Sequence, residues 1–88
     1  MVAAAAPVAD VTIAGFAFTP AKLAVAPGKP VTWTNSDDSP HQIVVAEAKS
    51  RSAILPKGQS HSQSFGAAGV YNYACGLHPS MKGTVEVK

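Results

Sequence analysis

Residues 69–81 read GVYNYACGLHPSM, and this stretch decides how the rest of the chain is read. Residues two apart on a strand point to the same side of a sheet, so Tyr71, Tyr73 and Cys75 share a face. The strand ends on the chain's only cysteine, and His78 and Met81 follow at two successive steps of three residues. A second segment, HQIVVA at residues 41–46, has matching parity, with His41, Ile43 and Val45 on one side. If both faces point inward, His41 at the head of one strand and Cys75 at the end of another meet near one end of the interior. One bend after Cys75 then brings His78 and Met81 over the same point.

Composition favours strands throughout. The 88 residues are 47% hydrophobic and only 14% charged, with seven glycines and seven prolines at short intervals, as in sandwiches and barrels with many turns. One core, and therefore one domain, is what this length supports. Seven basic and five acidic residues give a net charge of +2, too sparse and too scattered for a nucleic-acid surface. No apolar run reaches the length needed to span a bilayer as a helix. The opening MVAAAAPVAD reads as the start of a mature exported protein carrying an added Met1, or as a native arm. In either case residues 1–8 are expected to be a flexible N-terminal arm and residues 9–88 the single domain.

Alternation bounded by turn residues marks the remaining strands. DVTIAGF (10–16) sets Val11 and Ile13 on one face. In KLAVAPGKPVTWTN (22–35), Leu23 and Val25 alternate, Pro27 and Gly28 turn the chain, and Val31 and Trp33 alternate on the way back, which reads as a hairpin. Asn35 to Pro40 is a polar break. After HQIVVA comes a connection from about Glu47 to Ser60, then SHSQSF, GVYNYAC and GTVEVK. Seven or eight strands and no helix of ordinary length predict an all-β fold, a two-sheet Greek-key β-sandwich. Trp33 and the two tyrosines are expected in or near the core, and His61 at the surface.

Two imidazoles, a thiolate and a thioether converging on one point form a soft metal site. Thiolate and thioether favour Cu(I), imidazole also suits Cu(II), and two histidines with one cysteine and a weak axial methionine mark electron-transfer copper. Cysteine alone is commonly an inert core thiol. His41, His78 and Met81 at matching parity and spacing are what turn Cys75 into a candidate ligand.

On the runs APGKPVTWTNSDDSPHQIV and VYNYACGLHPSMKGTVEVK, the chain from about Asp10 to Lys88 resembles the cupredoxins, the small blue copper proteins. Within them it is most similar to the short-loop amicyanin and plastocyanin-like group. The resemblance implies one type 1 copper ion held by His41, Cys75, His78 and Met81. It also implies a non-enzymatic electron carrier in the periplasm or another exported compartment. Redox proteins, whether a dehydrogenase, a cytochrome or a reductase, would dock on an apolar rim of Leu77, Pro79 and Pro40 around His78, with the protein a monomer. A copper carrier or chaperone is the alternative, since its ligands would also be soft. An enzyme would need a further metal centre, and His61 is the only histidine left.

Two positions depart from the family pattern. Gln42 stands where asparagine usually follows the first histidine ligand, and Gly76 where serine or threonine often follows the cysteine. The usual side-chain link between these positions therefore cannot form in the same way.

Overall fold

The computed structural model describes residues 9–88, so the arm expected at residues 1–8 lies outside the described residues. Nine strands follow in order: β1 (Ala9–Ala14), β2 (Ala17–Thr19), β3 (Lys22–Val25), β4 (Pro30–Asn35), β5 (Ile43–Val45), β6 (Ser50–Arg51), β7 (Ser60–Ser64), β8 (Gly69–Cys75) and β9 (Lys82–Val87). They form a four-stranded sheet in the order β2-β1-β4-β7 and a five-stranded sheet in the order β3-β9-β8-β5-β6. This is the expected all-β sandwich, with two more strands than the lower count allowed. β2 and β6 are edge strands of three and two residues, too short to show an alternation.

The core lies between the sheets and follows the parity of the strands. Val11, Ile13, Val31 and Trp33 face inward from the smaller sheet, and Ile43, Val45, Tyr73, Cys75, Val85 and Val87 from the larger one. Trp33 is fully buried, with the Tyr73 ring edge-on to it at 5.2 Å. Tyr71 packs on Phe65 with ring centroids 4.6 Å apart. The expected core positions of Trp33 and the tyrosines hold.

His61 differs from its expected surface placement. It lies opposite Trp33 in the β4–β7 register, which turns its side chain inward, and its ring stacks on Trp33 at 5.9 Å and 27°. The strand itself, Ser60–Ser64, is polar on both faces, and the one apolar signal of its inward side is Phe65, which follows it at the parity of His61 and is buried.

The expected hairpin over residues 22–35 does not form. β3 pairs in parallel with β9, Leu23 opposite Val85, whereas β4 lies in the other sheet between β1 and β7. Residues 26–29 carry the chain across the sandwich, with the Gly28 amide donating to Phe65 O at 2.8 Å and Gly28 at φ +83. Alternation reports which face of a strand is buried but not which sheet it joins. A flat hairpin and a crossing between sheets therefore bury Leu23, Val25, Val31 and Trp33 equally well.

The strand read over DVTIAGF stops at Ala14. Gly15 and Phe16, at φ +59 and +57, make a two-residue turn of the kind favoured in hairpins, and the chain returns as β2 with Ala14 opposite Ala17.

β8 and β9 pack with Tyr73 opposite Gly83, and the tyrosine ring occupies the space above the glycine. A Cβ on residue 83 would collide with the ring. Gly83→Ala should therefore destabilise the fold by about 1–3 kcal/mol through overpacking, read as a lower urea midpoint at unchanged slope. An unchanged midpoint would mean that the Tyr73 ring moves aside at no cost.

Candidate metal centre

Three loops meet at one end of the sandwich: the Gly15–Phe16 turn, residues 36–41 after β4, and residues 76–81 after β8. The antiparallel β5–β8 register sets Ile43 opposite Cys75, so His41, two residues before Ile43, and Cys75 both point inward at this end. Both are buried, at 0% and 1% exposure. Cys75 Sγ lies 3.5 Å from His41 Nδ1 and 3.6 Å from His78 Nδ1, and the three atoms fall within 4.8 Å of one another. Three of the four residues expected as ligands, His41, Cys75 and His78, thus lie together. Met81 is also buried, and the loop is closed through its backbone, its amide donating to His78 O at 2.9 Å and its carbonyl accepting from the Cys75 amide at 3.1 Å.

These distances test whether a metal fits. With metal–nitrogen and metal–sulfur bonds of about 2.0 and about 2.3 Å, a three-coordinate planar ion would hold sulfur and nitrogen about 3.7 Å apart. The two sulfur–nitrogen distances match this to within about 0.2 Å, so the Cys75 sulfur can share one ion with each imidazole.

His41 is held from behind. Its Nε2 lies 2.9 Å from Asp37 Oδ2, leaving Nδ1 turned toward the sulfur. A ligating imidazole needs such a partner to fix its tautomer and the plane of its ring. The same carboxylate accepts the amides of Gly15 at 2.7 Å and Phe16 at 2.9 Å. Asp37 therefore joins the first turn of one sheet to the first ligand.

The loop that presents Asp37 is organised by Asn35, which is fully buried. Its side chain donates to Ser39 O and Leu55 O at 2.9 and 2.8 Å and accepts the Asp37 amide at 2.8 Å. Neither Asn35 nor Asp37 stands out in the sequence beyond a polar break. The one available signal is the spacing of Asp37 four residues before His41.

The two departures from the family pattern prove to be linked. The Gln42 amide points at Cys75 Sγ over 3.4 Å, and its carbonyl accepts the Gly76 amide at 3.1 Å, so the two ligand segments are tied by backbone. The Gln42 side chain donates to Ser52 O at 2.9 Å, and its Oε1 fills the space that a Cβ on residue 76 would need. The longer amide and the missing side chain fit each other.

Phe16 was not expected here at all. Its ring stands edge-on to both imidazoles, with centroids 5.5 Å from His41 and 5.0 Å from His78. A phenylalanine read as the end of a strand gives no hint of this, because only the turn at Gly15 brings it over the site.

Hydrogen bonding, chiefly from the Phe16 amide and then from His41 and the Gly15 amide, outweighs partial burial and holds the Asp37 carboxyl below its ordinary value of 3.8. A lowered carboxyl stabilises the fold fully above its unfolded value, and that contribution is lost as pH falls through the lowered folded value. The urea midpoint of the metal-free protein should therefore drop more steeply below pH 3.8 than that of Asp37→Asn, which has no proton to take up there. Parallel acid slopes would show that the ionised carboxylate does not hold this end together.

The chain matches the family model for the cupredoxin-like domain over residues 2–87. It is 38% identical over 94 residues to amicyanin of Paracoccus denitrificans, covering 97% of this chain and 72% of that protein. It is 37% identical over 84 residues to plastocyanin of Scenedesmus fuscus, covering 81% of this chain and 86% of that one. The structure superposes on an oxidised amicyanin variant with a TM-score of 0.87 at 34% identity, over 92% of this chain and 82% of the other. Fold, sequence and the cluster of two histidines and one cysteine agree, and the chain belongs to the cupredoxin family.

Proposed function

We propose that this protein carries single electrons between larger redox proteins, with one copper ion held by His41, Cys75, His78 and Met81. The observation that supports the reading best is the Cys75 sulfur lying 3.5 and 3.6 Å from the Nδ1 atoms of the two histidines, separations that one shared metal ion would impose. Copper bound there supplies a one-electron couple. The protein supplies ligands acceptable to both oxidation states and a frame that resists their movement. Asp37 fixes His41, the Gln42 amide faces the Cys75 sulfur, and burial of His41, Cys75 and Met81 keeps water away. Ligands that do not have to rearrange keep the barrier to electron transfer low.

Burial also favours a shuttle over a metal-delivering carrier. Handing copper to another protein needs ligands that a partner can reach, and here only His78 is half-exposed. His61, stacked on Trp33, is not part of the cluster, so no second centre of the kind a copper enzyme needs is assembled among the described residues. The reading includes the localisation and state that the family resemblance implies: an exported compartment, the periplasm in a bacterium, and a monomer. No helix among the described residues is long and apolar enough to cross a membrane.

Electrons would enter and leave at His78. Leu77, 40% exposed, with the exposed Pro79 and Pro40, would form the uncharged rim there, and Phe16, 47% exposed, would add to it. Such a patch suits brief docking of a redox partner better than tight assembly.

Titration of the metal-free protein with Cu(II) should give an intense visible band that bleaches on reduction and returns on reoxidation. Cys75→Ser should fold but lose the band, because the thiolate is its source and the rest of the core does not depend on the metal. A serine variant that stayed intensely coloured would overturn the ligand assignment. Leu77→Lys should leave the spectrum unchanged and slow electron self-exchange, by putting a like charge at the centre of the contact. An unchanged rate would place the docking face elsewhere.

A further inference from the structure

The two histidines of the cluster are supported very differently. His41 is fully buried and its far nitrogen is held by Asp37. His78 sits on a loop, is half-buried, and among the described residues its side chain makes one polar contact, to the Cys75 sulfur. What else fixes its ring is aromatic: the tilted His41 ring at 5.0 Å and the edge-on Phe16 ring, also at 5.0 Å.

Phe16 holds that position at a cost. It is the second residue of a two-residue turn, at φ +57, where glycine or asparagine is the comfortable choice and a bulky side chain is strained. Asp37 grips the amides of both turn residues, so the strained geometry is enforced by the same carboxylate that orients His41. The ring held this way does not enter the sandwich core. It remains 47% exposed and reaches from the turn of one sheet across to the ligand loop of the other. A strained, half-exposed aromatic is poor value as a hairpin tip and makes sense as a device acting on what it touches.

We propose that Phe16 is a positioning residue for the metal centre: a clip, set by Asp37, that holds the His78 imidazole, which no carboxylate anchors, in its ligating orientation. The inference rests on the copper reading for its consequence, while its geometry is that of the protein's own side chains. It separates cleanly from a purely structural role. If Phe16 only shapes the turn, Phe16→Gly relieves strain and changes nothing else. If Phe16 is the clip, the same substitution leaves the fold as stable or more stable while His78 comes loose.

The test uses the full chain as parent, Phe16→Gly, Phe16→Leu and Phe16→Tyr. In the metal-free proteins, carbon relaxation of the His78 ring should show a fixed imidazole in the parent and Phe16→Tyr and a mobile one in Phe16→Gly, with the urea midpoint of Phe16→Gly equal or raised. After copper loading, release to excess chelator should be about tenfold faster or more in Phe16→Gly, since two aromatic contacts are lost, and close to parental in Phe16→Tyr. Phe16→Leu keeps apolar bulk without the ring edge and should release faster than Phe16→Tyr, which keeps a test available if the glycine variant folds poorly. A His78 ring as rigid in Phe16→Gly as in the parent, or equal release from the leucine and tyrosine variants, overturns the proposal. A parent that takes up no copper overturns the copper reading instead, and the ring measurement on metal-free protein still decides the clip.

Discussion

The pairing of β5 with β8, Ile43 opposite Cys75, is the constraint on which the site depends. A slip of one residue would send Cys75 to the outer face and remove the sulfur from the cluster, because side chains alternate with a period of two. The register is held by the core itself. Val45 and Tyr73, opposed in the same ladder, are both buried, as are Ile43 and Cys75, so the hydrophobic effect that builds the sandwich also aims the ligands.

Around that register a linked set of polar contacts gathers at the ligand end of the sandwich. Asn35 shapes the loop, Asp37 takes two turn amides and the far nitrogen of His41, and the Gln42 backbone ties the two ligand segments across Cys75 and Gly76. Each contact joins an element of one sheet or loop to another, so the ligand triangle is determined by several elements at once. This is the condition under which a change of metal charge moves the ligand atoms little.

Much of this was legible in the sequence because it depends on periodicity. β8 and the inward faces of His41 and Cys75 follow from counting by two, and the approach of His78 follows from the length of the loop. What was not legible depends on events between strands. Lys22–Val25 and Pro30–Asn35 look like one hairpin because their alternation is the same whether the turn is flat or crosses the sandwich. Gly15–Phe16 looks like the end of a strand because phenylalanine is an unusual choice at a left-handed turn position, so no turn signal is raised. His61 faces inward from a strand that is polar on both sides. Asn35 and Asp37 read as loop residues, and their roles emerge only when the loop is closed against His41 and Leu55. Gln42 and Gly76 read as two defects, and only packing shows that they complement each other.

The proposed site depends on two imidazole nitrogens and one thiolate sulfur that the fold holds in place in both oxidation states of copper. X-ray absorption at the copper edge, on the loaded protein first oxidised and then reduced, tests it most directly. The expected result is one short copper–sulfur bond and two copper–nitrogen bonds in each state, with little change between them. An oxidised site of nitrogen and oxygen alone, or a first shell that is rebuilt on reduction, would contradict it.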